Sequence, residues 1–223
     1  ILGVCLTAQS PMAIYWGVDG WLLYNDAWRP VVGGKHPWAL GHPAHEVWPE
    51  LWPTIQHYFE SVHTTGEANW RSDELLPMQR FGFTEECYFD YSLNPIRGQS
   101  GAVEGILNIV QETTYRVLND RRTSLLRELA SLSGSAQNEQ DACARILQAL
   151  ATDPADVPFA LLYHIDRDHR QARLAGAVGL EDGSLARHRC LELAEETKTE
   201  SWPLAAALRQ DDPLLLEDAS NRF

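Results

Sequence analysis

Tyr88 to Val110 constrains the fold more than any other stretch, because it reads as two antiparallel strands with the turn between them written in. Cys87, Phe89, Tyr91 and Leu93 alternate with Tyr88, Asp90, Ser92 and Asn94, so one face of the first strand is mainly apolar and the other mainly polar. Pro95 cannot donate to a ladder, so pairing is expected to stop there. Gly98 to Gly101 supplies the turn, and Ala102 to Gln111 forms the second strand. Strands are therefore expected around residues 85–94 and 102–111, with a third around 67–76.

Upstream, Met12 to Gly17 reads as an opening strand and Trp21 to Tyr24 as its hairpin partner across Val18-Asp19-Gly20. Asn25 or Asp26 caps a short helix running toward Gly33. Pro37, Pro43 and Pro49 break residues 34–50 into short turns. A longer helix starts near Glu50, carries Pro53 in its first turn and ends at Gly66. Its apolar stripe is Trp52, Ile55, Phe59 and Val62.

Residues 113–133 hold neither Gly nor Pro, and Leu118, Leu125 and Leu132 recur every seven residues with Leu129 between them. Arg121 and Arg122 interrupt the alternate seam, and with Asp120 and Glu128 nearby they suit a solvated face. The helix is a weak coiled-coil seam that could join two copies of the chain. Ser133-Gly134-Ser135 closes it. A further helix begins at Asn138 with a capping-box pattern and a stripe of Ala142, Ile146 and Leu150. Strands follow at Phe159 to Ile165 and Gln171 to Leu180, joined by the turn Asp166 to His169.

Several short motifs now combine. Tyr24-Asn25-Asp26-Ala27-Trp28, Thr65-Gly66-Glu67, Pro95-Ile96-Arg97, Gly101 and Gly105 together resemble a PAS sensor domain. Asp156-Val157-Pro158-Phe159-Ala160-Leu161-Leu162-Tyr163 with Leu174 to Leu180 resembles the opening of a GAF domain, and Trp202-Pro203-Leu204-Ala205 and Leu216-Glu217-Asp218 fit that family's later helix and strand. The resemblance implies an α+β architecture: a PAS fold over residues 1–115 (a five-stranded antiparallel sheet with short helices on one face), a linker helix at 116–135 and an incomplete GAF α/β domain at 136–223. It implies a sensory module of a cytoplasmic signalling protein, of the kind that carries a histidine kinase downstream. The rival expectation is an assembly module that binds nothing small.

The remaining chemistry is sparse. A net charge of −13 argues against a phosphate-binding face, so no nucleic-acid partner is expected. No apolar run is long enough to span a bilayer, and no signal peptide opens the sequence. Cys5, Cys87, Cys143 and Cys190 form no C-x-x-C pair and are expected as reduced thiols. His36, His42 and His45 match no metal-ligand spacing, so no metal is expected. No phosphate loop, G-x-S-x-G elbow or H-E-x-x-H is present, and no catalytic role is expected of this chain. The resemblance admits haem through a helical histidine, for which His63 is the candidate while His57 faces away from the stripe. The resemblance places the reactive cysteine of light-sensing PAS domains in the stretch Gly41 to Leu51; no cysteine lies there, so a flavin photoadduct of that type is excluded, and Cys5 is not expected to hold a bilin. Trp28, Trp38, Trp48 and Trp52 either line a pocket for a flat ligand or fill the space between helices and sheet. Candidate pocket residues are Trp28, Trp48, Trp52, Ile55, Phe59, His63, Phe89, Tyr91 and Asn108.

Overall fold

Alternation along the strands sorts the apolar side chains onto two faces of one sheet. In the computed structural model, β1 (Met12–Trp16), β2 (Trp21–Tyr24), β3 (Asn69–Leu75), β4 (Tyr88–Arg97) and β5 (Val103–Glu112) form a five-stranded sheet. The strand order is β2-β1-β5-β4-β3, every neighbouring pair being antiparallel. Ala13, Tyr15, Phe89, Tyr91, Leu93, Ile106 and Val110 turn to one face and join the main core. Ile14 and Ile96 turn to the other, with Met12, Leu23 and Leu107 beside them.

The structure describes residues 1–132, 136–168, 170–182, 184, 187–193, 202–210 and 212–216, in two units, Ile1–Asp120 and Arg121–Phe223. The expected closure at Ser133-Gly134-Ser135, the end of the turn at His169 and the segment Glu217-Asp218 lie outside the described residues.

Two expectations for the sheet need correction. Helices cover both faces: α1 (Leu2–Thr7) places Cys5, 1% exposed, against Ile14 and Ile96 on the second face. Pairing also continues through Pro95, which stands opposite Ile106. The reason is the short reach of β3, whose last partner is Asn69 opposite Leu93. Beyond Leu93, β4 is paired on one side only, which is where proline is tolerated.

The main face is roofed by α2 (Arg29–Val32), α3 (Ala44–Val47) and α4 (Trp52–Thr65). Asn25 starts this segment as a four-armed hub, 3% exposed. Its Oδ1 accepts from the backbone N–H groups of Trp28 and Met12, and its Nδ2 donates to the carbonyls of Ala8 and Ser10. α4 buries Ile55, Phe59 and Val62, and Gly66 ends it at φ +66, its N–H donating to the Val62 carbonyl at 2.9 Å. That positive φ is why the turn takes glycine. Two distant motifs meet here: Arg97 donates to the Gly66 carbonyl at 2.7 Å and to the Gly101 carbonyl at 3.0 Å.

β5 is followed by one residue, Thr113, before α5 (Thr114–Leu132) begins. Within the second unit, α6 (Glu139–Leu150) is capped by Asn138, whose Oδ1 accepts from Asp141 N at 2.8 Å. β6 (Ala160–Ile165), β7 (Gln171–Val178) and β8 (Cys190–Glu192) form an antiparallel sheet in that order, and α7 (Leu204–Ala207) follows. Leu147 and Ala149, rather than Ala142, Ile146 and Leu150, are the buried residues of α6. A Cβ at Gly176 would collide with Leu147 Cδ1, so the missing side chain on β7 lets the helix approach there. Arg121 and Arg122 are not simply a solvated face. Both donate to Asp156, and these bonds, Arg121 first, hold its carboxyl down at about 2. Among the described residues, no helix is long and apolar enough to cross a membrane.

Candidate functional site

Between the main face of the sheet and the helical roof lies a cavity of about 50 Å³. Tyr15, Phe89, Tyr91, Asn108 and Val110 rise from the sheet; Ile55 and Phe59 descend from α4; Trp28, Val31, Trp48 and Leu51 close it from the segment between β2 and α4. Leu76 and Met78 complete the wall from the segment after β3. Seven of the nine residues expected from the sequence are thus brought together: Trp28, Trp48, Ile55, Phe59, Phe89, Tyr91 and Asn108.

The other two are not in the lining. Trp52 packs on the outside of the core, its ring 5.5 Å from Phe59 and 6.2 Å from His45. His63 sits half-buried on α4 near its C-terminal end, outside the lining, so it offers no axial ligand to this cavity. Trp38 also stands apart, 50% exposed and stacked on His42 at 4.4 Å. The volume is about a third of that of an engineered cavity of roughly 150 Å³ that binds benzene.

The walls are apolar with five polar exceptions, and these divide into two kinds. Tyr15 Oη accepts from Trp48 Nε1 at 3.1 Å, and Tyr91 Oη donates to Glu74 Oε2 at 2.6 Å. Burial pushes both phenols well above their ordinary pKa, so they stay neutral. Trp28 Nε1 and Asn108 Oδ1 are buried side-chain atoms without a hydrogen-bond partner among the described residues, in residues 3% and 6% exposed. Each such group costs about 1–3 kcal/mol if left unmet.

Two polar clusters flank the end of β5. Arg80, 9% exposed, donates to Glu112 Oε2 at 2.9 Å, to Glu85 Oε2 at 3.0 Å, to the Pro30 carbonyl at 3.3 Å and to Cys87 Sγ at 3.1 Å. Burial works against its charge, but the carboxylates outweigh it and its pKa is raised. Burial pushes the Cys87 thiol up to about 11 despite the neighbouring guanidinium. On the other side, Asp73 sits in a β3 bulge at φ +48. It accepts from Thr113 Oγ1 at 2.7 Å and pairs with Arg116, on the first turn of α5. The hydrogen bond from Arg116 holds the Asp73 carboxyl below its ordinary pKa. Sequence reasoning missed both clusters.

The histidines disperse. His36 shares a hydrogen bond with Tyr24 Oη at 2.8 Å, His42 stacks on Trp38, and His57 is exposed beside Tyr58. Among the described residues, no three His, Cys, Asp or Glu side chains come together as metal ligands.

Residues 8–118 match the family described as the PAS fold. The chain is also similar to an RNA-binding light-oxygen-voltage receptor at 20% identity and a TM-score of 0.44, over 58% of this chain and 36% of that one. It thus spans about a third of that receptor's chain. A sensory box sensor histidine kinase from Vibrio cholerae is similar at 16% identity and TM-score 0.38, over 48% of this chain and 83% of that one. A PAS domain from Colwellia psychrerythraea is similar at 15% identity and TM-score 0.41, over 51% and 94% respectively.

Proposed function

We propose, from the premise that residues 8–118 are a PAS domain, that this chain is the sensory front of a larger signalling protein and performs no catalysis itself. One observation carries the reading: Thr113 alone separates β5 from α5. A change in the tilt of the last strand therefore has no loop in which to dissipate. The input is the packing of Ile55 and Phe59 against Phe89, Tyr91 and Asn108 around the cavity. The output is a small rotation of α5 between two discrete packings.

Half-exposed Leu118, Leu125, Leu129 and Leu132 on α5 support pairing with a second copy of the chain. Residues 136–223 are read as an incomplete GAF domain, supported by the order of capped helix, antiparallel hairpin and third strand among the described residues. The output module, a histidine kinase in this reading, lies outside the chain and acts in the cytoplasm, without nucleic-acid or membrane contact. No haem enters the proposal, because His63 lies outside the cavity lining.

Hydrogen exchange on the intact chain tests the relay. Val110→Ile adds a methyl to the cavity wall, and the expected result is altered protection across Thr114–Leu132. Ile109→Val, on the opposite face of β5, is the control and leaves α5 unchanged. Identical α5 protection in all three proteins would sink the proposal.

A further inference from the structure

The polar groups in the cavity wall constrain the chemistry of anything that enters it. Of its five polar side chains, Trp48 and Tyr15 bond each other and Tyr91 bonds Glu74. Trp28 Nε1, a donor, and Asn108 Oδ1, an acceptor, have no partner among the described residues. Both residues line the cavity from opposite sides, Trp28 from the helical roof and Asn108 from β5. Elsewhere in folded proteins, buried groups of this kind are almost always paired.

The remaining walls restrict the occupant. Among the described residues, no Lys, Arg, His, Asp or Glu lines the cavity, so a charged guest would lose its hydration with no counter-charge in return. A volume of about 50 Å³ gives room for roughly three to five water-sized groups. We propose that the cavity is a receptor site for a compact uncharged molecule that both accepts and donates a hydrogen bond, the class of short amides and ureas, anchored by Trp28 and Asn108. The inference deepens the sensory reading and rests on it for its consequence at α5, while binding is read out separately.

Three molecules of nearly one shape separate the contributions: acetamide accepts and donates, acetone only accepts, and isobutene does neither. The intact ¹⁵N-labelled chain is titrated with each, following the Trp28 indole N–H resonance, assigned by its loss in Trp28→Phe. The expected result is a saturable shift with acetamide, with affinity about five- to tenfold weaker for acetone and weaker again for isobutene. Asn108→Leu should abolish the preference for acetamide over acetone; if that variant does not fold, the three-ligand series on the unmodified chain decides. Equal affinity for all three, or tightest binding of isobutene, overturns the proposal by showing a merely apolar void. The absence of any saturable shift overturns it too, whether packing or a held water is the cause. Binding without any change in α5 exchange would leave this inference standing and refute the relay instead.

Discussion

Replacing Arg80 with methionine keeps much of the aliphatic volume and removes the charge, leaving Glu85 and Glu112 facing each other's field without a cation. Breaking a buried ion pair from one side costs about 3–5 kcal/mol, most of it the penalty on the charge left behind. Here the Arg80 side chain is 8% exposed, whereas those of Glu85 and Glu112 are 19% and 32% exposed. The orphaned carboxylates can therefore recover part of their hydration, which places the expected cost at the low end, about 3 kcal/mol. Across the 120 residues of the first unit, an unfolding entropy of about 2.1 cal/mol/K per residue makes that a fall of roughly 12 °C in Tm. Thermal and urea unfolding followed by near-ultraviolet circular dichroism, which reports the tryptophans of this unit, supplies the measurement. The triple variant R80M/E85Q/E112Q removes the orphaned charges and should regain about half of the loss. A cost below about 1 kcal/mol for Arg80→Met, or no recovery in the triple variant, would refute the argument that this guanidinium pins the end of β5.

Other outcomes follow from single residues. Asn25→Ala removes four hydrogen bonds at one buried point and should cost about 3 kcal/mol in denaturant unfolding; a cost under about 1 kcal/mol contradicts the hub assignment. Alkylation at pH 8, read by mass spectrometry, should modify exposed Cys190 readily and spare buried Cys5 and Cys87, whose thiols burial has raised, Cys87 to about 11; equal labelling of all three contradicts the packing. The Asp156 carboxyl is depressed to about 2 by Arg121 and Arg122, so its stabilisation is complete above the unfolded value near 4 and is lost as pH falls toward 2. Acid unfolding of the second unit should be less steep over that window in Asp156→Asn, and an unchanged profile would refute the assignment.

The sheet was readable because its signal is local. Cys87, Phe89, Tyr91 and Leu93 announce their face two residues at a time, and Gly66 and Gly101 mark chain reversals that need a positive φ. Pro95 misled because its effect depends on where β3 ends, a fact held by Asn69 and Leu93 together and by neither alone. Cys5 and α1 were invisible for a related reason. Ile1, Leu2, Val4 and Leu6 are all more exposed than Cys5, so a short apolar run gives no hint that the cysteine is the anchoring residue.

The site shows the same division. Ile55 and Phe59 follow from helical spacing, and Phe89 and Tyr91 from strand spacing. Leu76 and Met78 reach the cavity through an irregular segment outside the named strands, tied by a Met78–Glu85 bridge and a Leu76–Cys87 backbone bond, which no period predicts. Trp52 fits the helical stripe in sequence but lies at its edge, packing against Phe59 from outside. Asp73 could be found only from the bulge that turns its carboxylate toward Thr113 and Arg116.

In the proposed relay, the cavity and the start of α5 share one two-state equilibrium. Amide chemical shifts of Thr113 and Arg116 in the intact chain, recorded across Val31→Ile, Ile55→Val, Met78→Leu and Val110→Ile, test it most directly. A shared equilibrium moves each resonance along one straight line, ordered alike at both residues. Shifts confined to the substituted wall, with Thr113 and Arg116 unmoved or scattered off any line, would contradict it.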